Sequence, residues 1–227
     1  MSRRRAVDIG EWTGAVPLSW KRGWLQGGQH LTEQDARGIR VIDMNPWHDI
    51  ASERVTSDRF IAVIEIPKGS KKKYELDKPT GLIRLDRILF TSTHYPSNYG
   101  FIPKTLAEDN DPLDVLVLCS EALDPLTIVE CYPIGVVKMV DNQVVDEKII
   151  AVPLRDPVYS GYRDIATLPQ HHLQEMSHFF EVYKALEHSE TSVSTIDDHD
   201  KAREIIEISM KRYRDAFPEK LNKDRKK

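Results

Sequence analysis

Short segments rich in β-branched residues, each ended by Gly, Pro, Asp or Asn, recur through the middle of the 227-residue sequence and constrain its fold strongly. The clearest is FIAVIEIP at 60–67, which ends at a proline and is therefore predicted to be a strand. Further strands are predicted at 81–85, 115–118, 128–140 and 148–152. Short strands at this spacing are typical of a small β-barrel.

The first predicted strand carries a carboxylate in an otherwise apolar row. Because side chains alternate along a strand, Ile61, Val63 and Glu65 share one face. We expect Glu65 either to lie in water at the strand end or to face a polar cavity.

Two helices are predicted after the strands. The first begins near Pro169, a favoured first-turn residue, and its apolar stripe is Leu173, Met176, Phe180 and Tyr183. The second begins near Asp200, and its stripe is Ala202, Ile206, Met210, Tyr213 and Phe217. These stripes indicate contacts with the core or with another subunit. The expected class is therefore α+β with a mainly β core.

Residues 1–44 differ in composition from the rest of the chain. All four tryptophans lie within the first 47 residues, and no period persists through the segment. We interpret 1–44 as an irregular, Trp-rich extension whose indole rings pack on the core or on a neighbouring subunit.

Composition excludes several functional classes. Apolar residues make up 40% and charged residues 30%, and the net charge of -4 does not favour nucleic acid or anionic lipid as a partner. No apolar run approaches the roughly 18 residues of a membrane span. Two cysteines are too few for a disulfide framework. We therefore expect a cytoplasmic protein that binds neither nucleic acid nor membrane.

The densest chemical signal is an acidic loop at 108–114. It contains Glu108, Asp109, Asp111 and Asp114, with Pro112 fixing the turn. Carboxylates this close repel one another, and a hard divalent cation such as Mg²⁺ relieves the repulsion. The loop alone is compatible with either a solvated turn or a metal site.

A second acidic set, Asp141 and Asp146 followed by Lys148, comes about thirty residues later. Two separated carboxylate sets are what a site with several metal ions needs. Lysines, arginines and tyrosines accompany these sets, which suits a polyanionic ligand because their groups bind phosphate oxygens.

Two other functions compete with a metal-assisted hydrolase. The Asp-x-Asp at 109–111 is shared with aspartyl-phosphate phosphatases, but the apolar strand that should precede it is absent from the sequence. The other alternative is a non-catalytic OB-type module that binds a phosphorylated ligand or an oligonucleotide. Such a module would place its aromatic residues among basic ones, whereas here the tyrosines lie among carboxylates.

Taken together, these strings resemble the soluble inorganic pyrophosphatases of family I. The segments that carry the resemblance are NPWHDI at 45–50, IEIP at 64–67, KYE at 73–75, DR at 86–87, HYPSNYG at 94–100, DNDPLDV at 109–115 and HFFEVYK at 178–184. The resemblance predicts a catalytic domain at 45–187, followed at 188–227 by a C-terminal helix that packs on this domain or on a neighbour. It implies a five-stranded OB-like β-barrel with flanking α-helices.

The resemblance also implies an activity, the hydrolysis of inorganic pyrophosphate to two phosphates with several Mg²⁺ ions. The implied metal ligands are Asp109, Asp114, Asp141, Asp146 and, through water, Glu65. The implied general base is Asp111, and the groups that hold the phosphoryl groups would be Lys73, Arg87, Tyr99, Lys148, Tyr183 and Lys184. Glu75 and Tyr95 would belong to the same cavity. The short, prokaryote-like core favours a homo-oligomer, with a hexamer ahead of a dimer.

The sequence departs from the family pattern in one place. Many members carry Asp-Glu-x-Gly in the second acidic set, whereas here Asp141 is followed by Asn142, Gln143 and Val144. The change removes one carboxylate and one glycine, so we expect altered metal affinity and loop shape with the activity retained.

Overall fold

The structure is a computed structural model that describes residues 44–141, 144–187 and 191–220. The described chain contains eight strands and two helices. The strands are β1 (Phe60–Ile66), β2 (Lys72–Asp77), β3 (Leu82–Ile88), β4 (Asn98–Phe101), β5 (Asp114–Val117), β6 (Ile128–Asp141), β7 (Val144–Pro153) and β8 (Thr191–Asp198). The helices are α1 (Gln170–Val182) and α2 (His199–Ala216).

Six strands form one sheet in the order β1-β4-β5-β7-β6-β8. Only the pairing of β5 with β7 is parallel, and the other pairings are antiparallel. β1 also pairs with β6 through Phe60 to Val63, so the series β1-β4-β5-β7-β6 returns to the strand from which it began. The expectation of an α+β fold with a mainly β core is confirmed.

β2 and β3 form a separate two-stranded hairpin. Gly81, at the end of its turn, has φ +70°, which favours glycine. A Cβ atom there would also lie 3.0 Å from the main-chain oxygen of Met44. The hairpin turn is therefore packed directly against the first described residues.

The core lies inside the large sheet and beneath the helices. All seven residues of β1 are buried, including both of its faces. Met176, Phe179 and Phe180 of α1 are buried, and α2 buries Ala202, Ile205, Ile206, Ser209 and Tyr213. Both helices begin close to their expected positions, α1 directly after Pro169 and α2 after Asp198, whose side chain accepts a hydrogen bond from Lys201 N.

Three strands were missed by the sequence analysis. β2 and β8 are largely polar, and β4 has only four residues with a glycine among them. β8 pairs with β6 ahead of the predicted C-terminal helix. The Trp-rich extension lies, apart from Met44, outside the described residues. Within the described chain, no helix is both long and apolar enough to cross a membrane.

Candidate active site

A cavity of about 430 Å³ opens between the β2–β3 hairpin and the edge formed by β5 and β7. We call it the acidic cavity, because its lining contains eight carboxylates and five basic side chains. The carboxylates belong to Glu65, Glu75, Asp77, Asp109, Asp111, Asp114, Asp141 and Asp146. The basic residues are Lys73, Lys78, Arg84, Lys148 and Lys184, and the phenols are Tyr74, Tyr99 and Tyr183.

The floor of the acidic cavity is built by the parallel pair β5 and β7. Asp114 and Lys148 are opposed in their register, and Asp146 lies two residues before Lys148, so all three side chains share one face. The Nζ atom of Lys148 lies 2.7 Å from Asp114 Oδ2 and 2.9 Å from both carboxylate oxygens of Asp146. The hydroxyl of Tyr99 donates a hydrogen bond to Asp114 and lies 3.1 Å from Lys148 Nζ.

Lys148 is the most buried of the three charged side chains of this floor, since those of Asp114 and Asp146 are 26% and 19% exposed. The side chain of Lys148 is 4% exposed. Burial lowers the pKa of Lys148, but the negative charges of Asp114 and Asp146 outweigh it, and the net pKa lies well above its usual value. The ammonium therefore stays charged and neutralises part of the carboxylate cluster.

Glu65 forms the inner wall of the cavity. It is buried, and its Oε1 accepts a hydrogen bond of 2.7 Å from the main-chain nitrogen of Leu76. Burial raises the pKa of Glu65 to about 8, and the negative charge of Asp114 adds to the shift. Of the two expected positions for this carboxylate, the polar cavity is the one observed.

The acidic loop forms the outer wall. The main-chain nitrogen of Asp111 donates to Asp109 Oδ1 at 3.0 Å, and Asn110 between them has φ +68°. Burial raises the pKa of Asp109, and the negative charges of Asp111 and Asp146 contribute. The carboxylate of Asp111 forms an ion pair with Lys78, which reaches it from the hairpin.

The remaining walls carry further ion pairs. On the hairpin, Lys73 pairs with Glu75 and lies 3.3 Å from Asp86, and Arg84 lies 3.1 Å from Glu75. At the end of α1, Lys184 pairs with Asp141 of β6.

Tyr183, next to Lys184, is buried and stacks on Phe179 with ring centroids 5.2 Å apart. Burial raises the pKa of its phenol, so Tyr183 serves as a neutral hydrogen-bond donor.

The chain that forms this cavity is similar in sequence and structure to proteins of one known family. The family model "Inorganic pyrophosphatase" matches residues 62–214. Soluble inorganic pyrophosphatase 2 of Chlamydomonas reinhardtii is 48% identical over 178 residues, which are 78% of this chain and 93% of the relative. The soluble inorganic pyrophosphatase of Zea mays is 48% identical over 174 residues, 77% of this chain and 81% of the relative. The crystal structure of inorganic pyrophosphatase from Thermus thermophilus aligns with a TM-score of 0.71 at 38% identity, covering 74% of this chain and 99% of that one.

The chain belongs to the inorganic pyrophosphatase family. This confirms the resemblance drawn from the sequence motifs and decides against an aspartyl-phosphate phosphatase and against an OB-type binding module. The segment matched by the inorganic pyrophosphatase model contains every residue predicted for the site and begins well after residue 44.

Twelve of the fourteen predicted site residues line the acidic cavity. The two that do not are Arg87 and Tyr95. The guanidinium of Arg87 contacts Asp86, and its Nε lies 2.9 Å from Glu187 Oε2. Because Asp86 also contacts Lys73, Arg87 lies one ion pair away from the cavity.

Tyr95 lies behind the cavity wall. Its ring is packed between Tyr99 and Phe179, with centroid distances of 5.4 Å and 4.8 Å, and it lines a second cavity of about 390 Å³. Tyr95 therefore supports the ring of Tyr99 from behind.

Sequence reasoning missed several lining residues, of which Asp77, Lys78 and Arg84 are charged. All three lie near the turn of the β2–β3 hairpin. Because the strand β2 was not predicted, nothing in the sequence analysis placed these side chains opposite the acidic loop. The signal that could have found them is the Thr80-Gly81 turn between two alternating segments.

Among residues 44–141, 144–187 and 191–220, no three His, Cys, Asp or Glu side chains are arranged to hold a metal ion. Lysines lie among these carboxylates, since the ammonium of Lys148 lies between Asp114 and Asp146, and Asp111 and Asp141 also pair with lysines. The carboxylate cluster is thus neutralised in part by the chain itself.

Proposed function

We propose that the protein hydrolyses inorganic pyrophosphate to two orthophosphates in the acidic cavity, with Mg²⁺ as its cofactor. The observation that carries this proposal is the composition of the cavity in a chain of this family. It combines an excess of carboxylates with four lysines, an arginine and three phenols. A tetra-anionic substrate fits such a cavity only together with cations.

The donor set fits a hard divalent cation. The candidate ligands are all carboxylates, the oxygen donors that Mg²⁺ takes. Burial raises the pKa values of Asp109 and Asp114, with further increases from neighbouring negative charges, so these groups are not fully compensated by the lysines. We assign Asp109, Asp114 and Asp146 to the tightest site, with Asp141, and Glu65 through water, contributing to others. When bound, such cations would neutralise substrate charge and lower the pKa of a nearby water.

Asp111 is assigned as the general base that takes a proton from the attacking water. Its side chain is 51% exposed at the mouth of the cavity, so water reaches it directly. The assigned metal ligand Asp114 lies deeper, with a side chain 26% exposed, and is hydrogen bonded to both Tyr99 and Lys148. Of these two carboxylates, that of Asp111 is therefore the one that an attacking water reaches within hydrogen-bond distance.

We assign the binding of the two phosphoryl groups of the substrate to the basic and phenolic side chains of the cavity. Lys73 enters the cavity from β2, Lys148 from β7 and Lys184 from the turn after α1, and Tyr99 and Tyr183 also line the cavity. These groups offset the negative charge that grows on the leaving phosphate. Glu75 would hold Lys73 in place. Arg87 would also bind a phosphoryl group if its ion pair with Asp86 opened. Tyr95 would contribute indirectly, by supporting the ring of Tyr99.

Wider proposals on fold, assembly, location and domain bounds accompany this function. The ring of pairings β1-β4-β5-β7-β6 supports a five-stranded OB-like barrel. We further propose a homo-oligomer, a hexamer ahead of a dimer, and a cytoplasmic location, with neither nucleic acid nor membrane as a partner. The catalytic domain is proposed to span 45–187, with 188–227 packing on it or on a neighbouring subunit.

Release of phosphate from pyrophosphate by the full-length protein tests the proposal. We expect turnover with Mg²⁺ and its loss when a chelator is added. A phosphate monoester such as p-nitrophenyl phosphate serves as the comparison substrate and should be hydrolysed far more slowly. Turnover that persists undiminished with excess chelator would contradict the assignment of the carboxylates to metal binding.

A further inference from the structure

Lys78 lies in the turn between β2 and β3 and reaches across the mouth of the acidic cavity. Its ammonium forms an ion pair with Oδ1 of Asp111, a residue 33 positions later on the opposite wall. None of the sequence motifs includes Lys78. It is the cation that contacts Asp111 within the described part of the chain.

The main chain of Lys78 is held firmly. Gly81 N donates to Asp77 O at 2.8 Å, which closes the turn around Lys78, and Asn45 Nδ2 donates to Lys78 O at 2.7 Å. The ammonium lies 5.9 Å from the ring centroid of Trp47, which is itself buried. The lysine is therefore presented to Asp111 from a fixed base, with its charge near an aromatic face.

The main chain of Asp111 is also held by hydrogen bonds, but these bonds do not involve its carboxylate. Asp111 N donates to Asp109 Oδ1 at 3.0 Å, and Asp111 O accepts from Ala107 N at 2.8 Å. These bonds fix the loop and leave the half-exposed carboxylate free to rotate about its side-chain torsions. The ion pair with Lys78 is the contact that selects one direction for it.

We propose that Lys78 is a positioning residue that aims the carboxylate of Asp111 into the acidic cavity. This inference rests on the proposed function, in which Asp111 is the general base. An exposed ion pair contributes little to stability, so stability does not explain the contact. Direction matters more, because a displacement of about 1 Å in a reacting group can cost roughly 100-fold in rate.

The test compares Lys78→Met with Lys78→Arg. Methionine keeps an unbranched stem near Trp47 and removes the charge, whereas arginine keeps a cation that can pair with Asp111. We expect Lys78→Met to lower kcat about tenfold with KM within about twofold of the wild type, and Lys78→Arg to recover most of the loss. The matched control is Lys211→Met, which breaks the exposed pair with Asp215 on α2 and should leave both constants unchanged.

A double variant decides whether Lys78 acts through Asp111. In the Asp111→Asn background, Lys78→Met should lower kcat no further, because the group that it aims is already gone. Additive losses would overturn the proposal, as would a rise in KM alone, which would assign Lys78 to substrate binding. An unchanged kcat for Lys78→Met would also overturn it.

Two measurements without turnover complete the test. Thermal unfolding of Lys78→Met should match the wild type, and calorimetric titration with Mg²⁺ should give the same affinity within about twofold, since Asp111 is not an assigned ligand. A Mg²⁺ affinity that rises strongly would mean that Lys78 competes with the metal, and would overturn the positioning role. If the wild type releases no phosphate from pyrophosphate, the proposed function itself fails. If the wild type turns over pyrophosphate and Lys78→Met has the same kcat, only the role of Lys78 is removed.

Discussion

Asp114 and Lys148 are directly opposed in the parallel pairing of β5 with β7, and their charged atoms lie 2.7 Å apart. This pairing is the single parallel one among the described strands of the large sheet, and it brings together two residues 34 positions apart in the chain. A buried ammonium between two carboxylates holds the floor of the acidic cavity together where Mg²⁺ is proposed to bind.

Lys148→Met should destabilise the metal-free protein. It leaves Asp114 and Asp146 without the cation between them, and removing one partner of a buried ion pair costs roughly 3–5 kcal/mol. Saturating Mg²⁺ should recover up to about 3 kcal/mol, because a ligand at 100 times its Kd stabilises the folded state by that amount. Urea unfolding with and without Mg²⁺ measures both effects.

Lys138→Met is the matched control for this variant. Lys138 pairs with Asp197 at 2.9 Å on the partly exposed side of the sheet, where a pair contributes about 0–1 kcal/mol. Equal losses of stability for the two variants would contradict the special role assigned to the buried ammonium.

Asp111 and Asp114 of the acidic loop should respond differently to replacement by asparagine. Asp114→Asn should be the more damaging change, because it weakens both Mg²⁺ binding and turnover. Asp111→Asn should lower kcat roughly 100-fold, as expected for a general base, with little loss of Mg²⁺ affinity. Pyrophosphate turnover and calorimetric Mg²⁺ titration of each variant check the order.

Glu108→Gln provides the control within the same loop. Its carboxylate faces away from the cavity and lies 2.6 Å from Arg212 on α2. It should retain near wild-type turnover. If Asp111→Asn lost Mg²⁺ affinity and Asp114→Asn kept it, the assignments of base and ligand would have to be exchanged.

Motif spacing predicted most of the site because it lies on strand ends and one loop. Glu65 interrupts an apolar segment, Asp114 and Lys148 directly precede one, and a charge in such a place faces either water or a cavity. The residues of the acidic loop come together by local chain geometry alone. For these residues, the position in the sequence is enough to predict that the side chains lie in one site.

The hairpin was less predictable, because β2 is polar and the register of the two strands is irregular. Lys73 pairs with Arg87, but the register shifts after Lys73, so that Glu75 pairs with Arg84. The sequence motif pointed to Arg87, whereas Arg84 is the arginine that lines the cavity. A bulge depends on local pairing between strands and leaves little trace in the composition of either strand.

Gly100→Ala should prevent stable folding. A Cβ atom at this position would lie 1.9 Å from the main-chain oxygen of Val63, in the pairing of β4 with β1. Backbone cannot yield as a flexible side chain does, so we expect a loss of at least about 3 kcal/mol. Urea unfolding measures it, with Gly161→Ala as the control, since nothing lies within 4 Å of that Cβ position. A Gly100→Ala protein as stable as the control would show that the two strands separate without cost.

Asp156→Asn should make the protein less stable at neutral pH and should flatten its response to acid. The carboxylate accepts hydrogen bonds from Ser120 N at 2.7 Å, Ser120 Oγ at 2.9 Å, Val158 N at 2.8 Å and Tyr159 N at 2.9 Å. Burial raises the pKa of Asp156, but these bonds outweigh it and hold the pKa well below its usual range.

The sign of the pH effect follows from that shift. Because the folded-state pKa lies below the unfolded value of about 3.9, the stabilisation by Asp156 is present above that pH and is lost as the pH falls below it. We expect Asp156→Asn to cost about 2 kcal/mol at pH 7, the usual value for hydrogen bonds to a charged group. The difference from the wild type should shrink steadily as the pH is lowered from 4 towards 2. Urea unfolding across this range measures it, with the exposed Asp124→Asn as the control. A difference that stays constant with pH would mean that the hydrogen bonds stabilise the neutral carboxyl equally well.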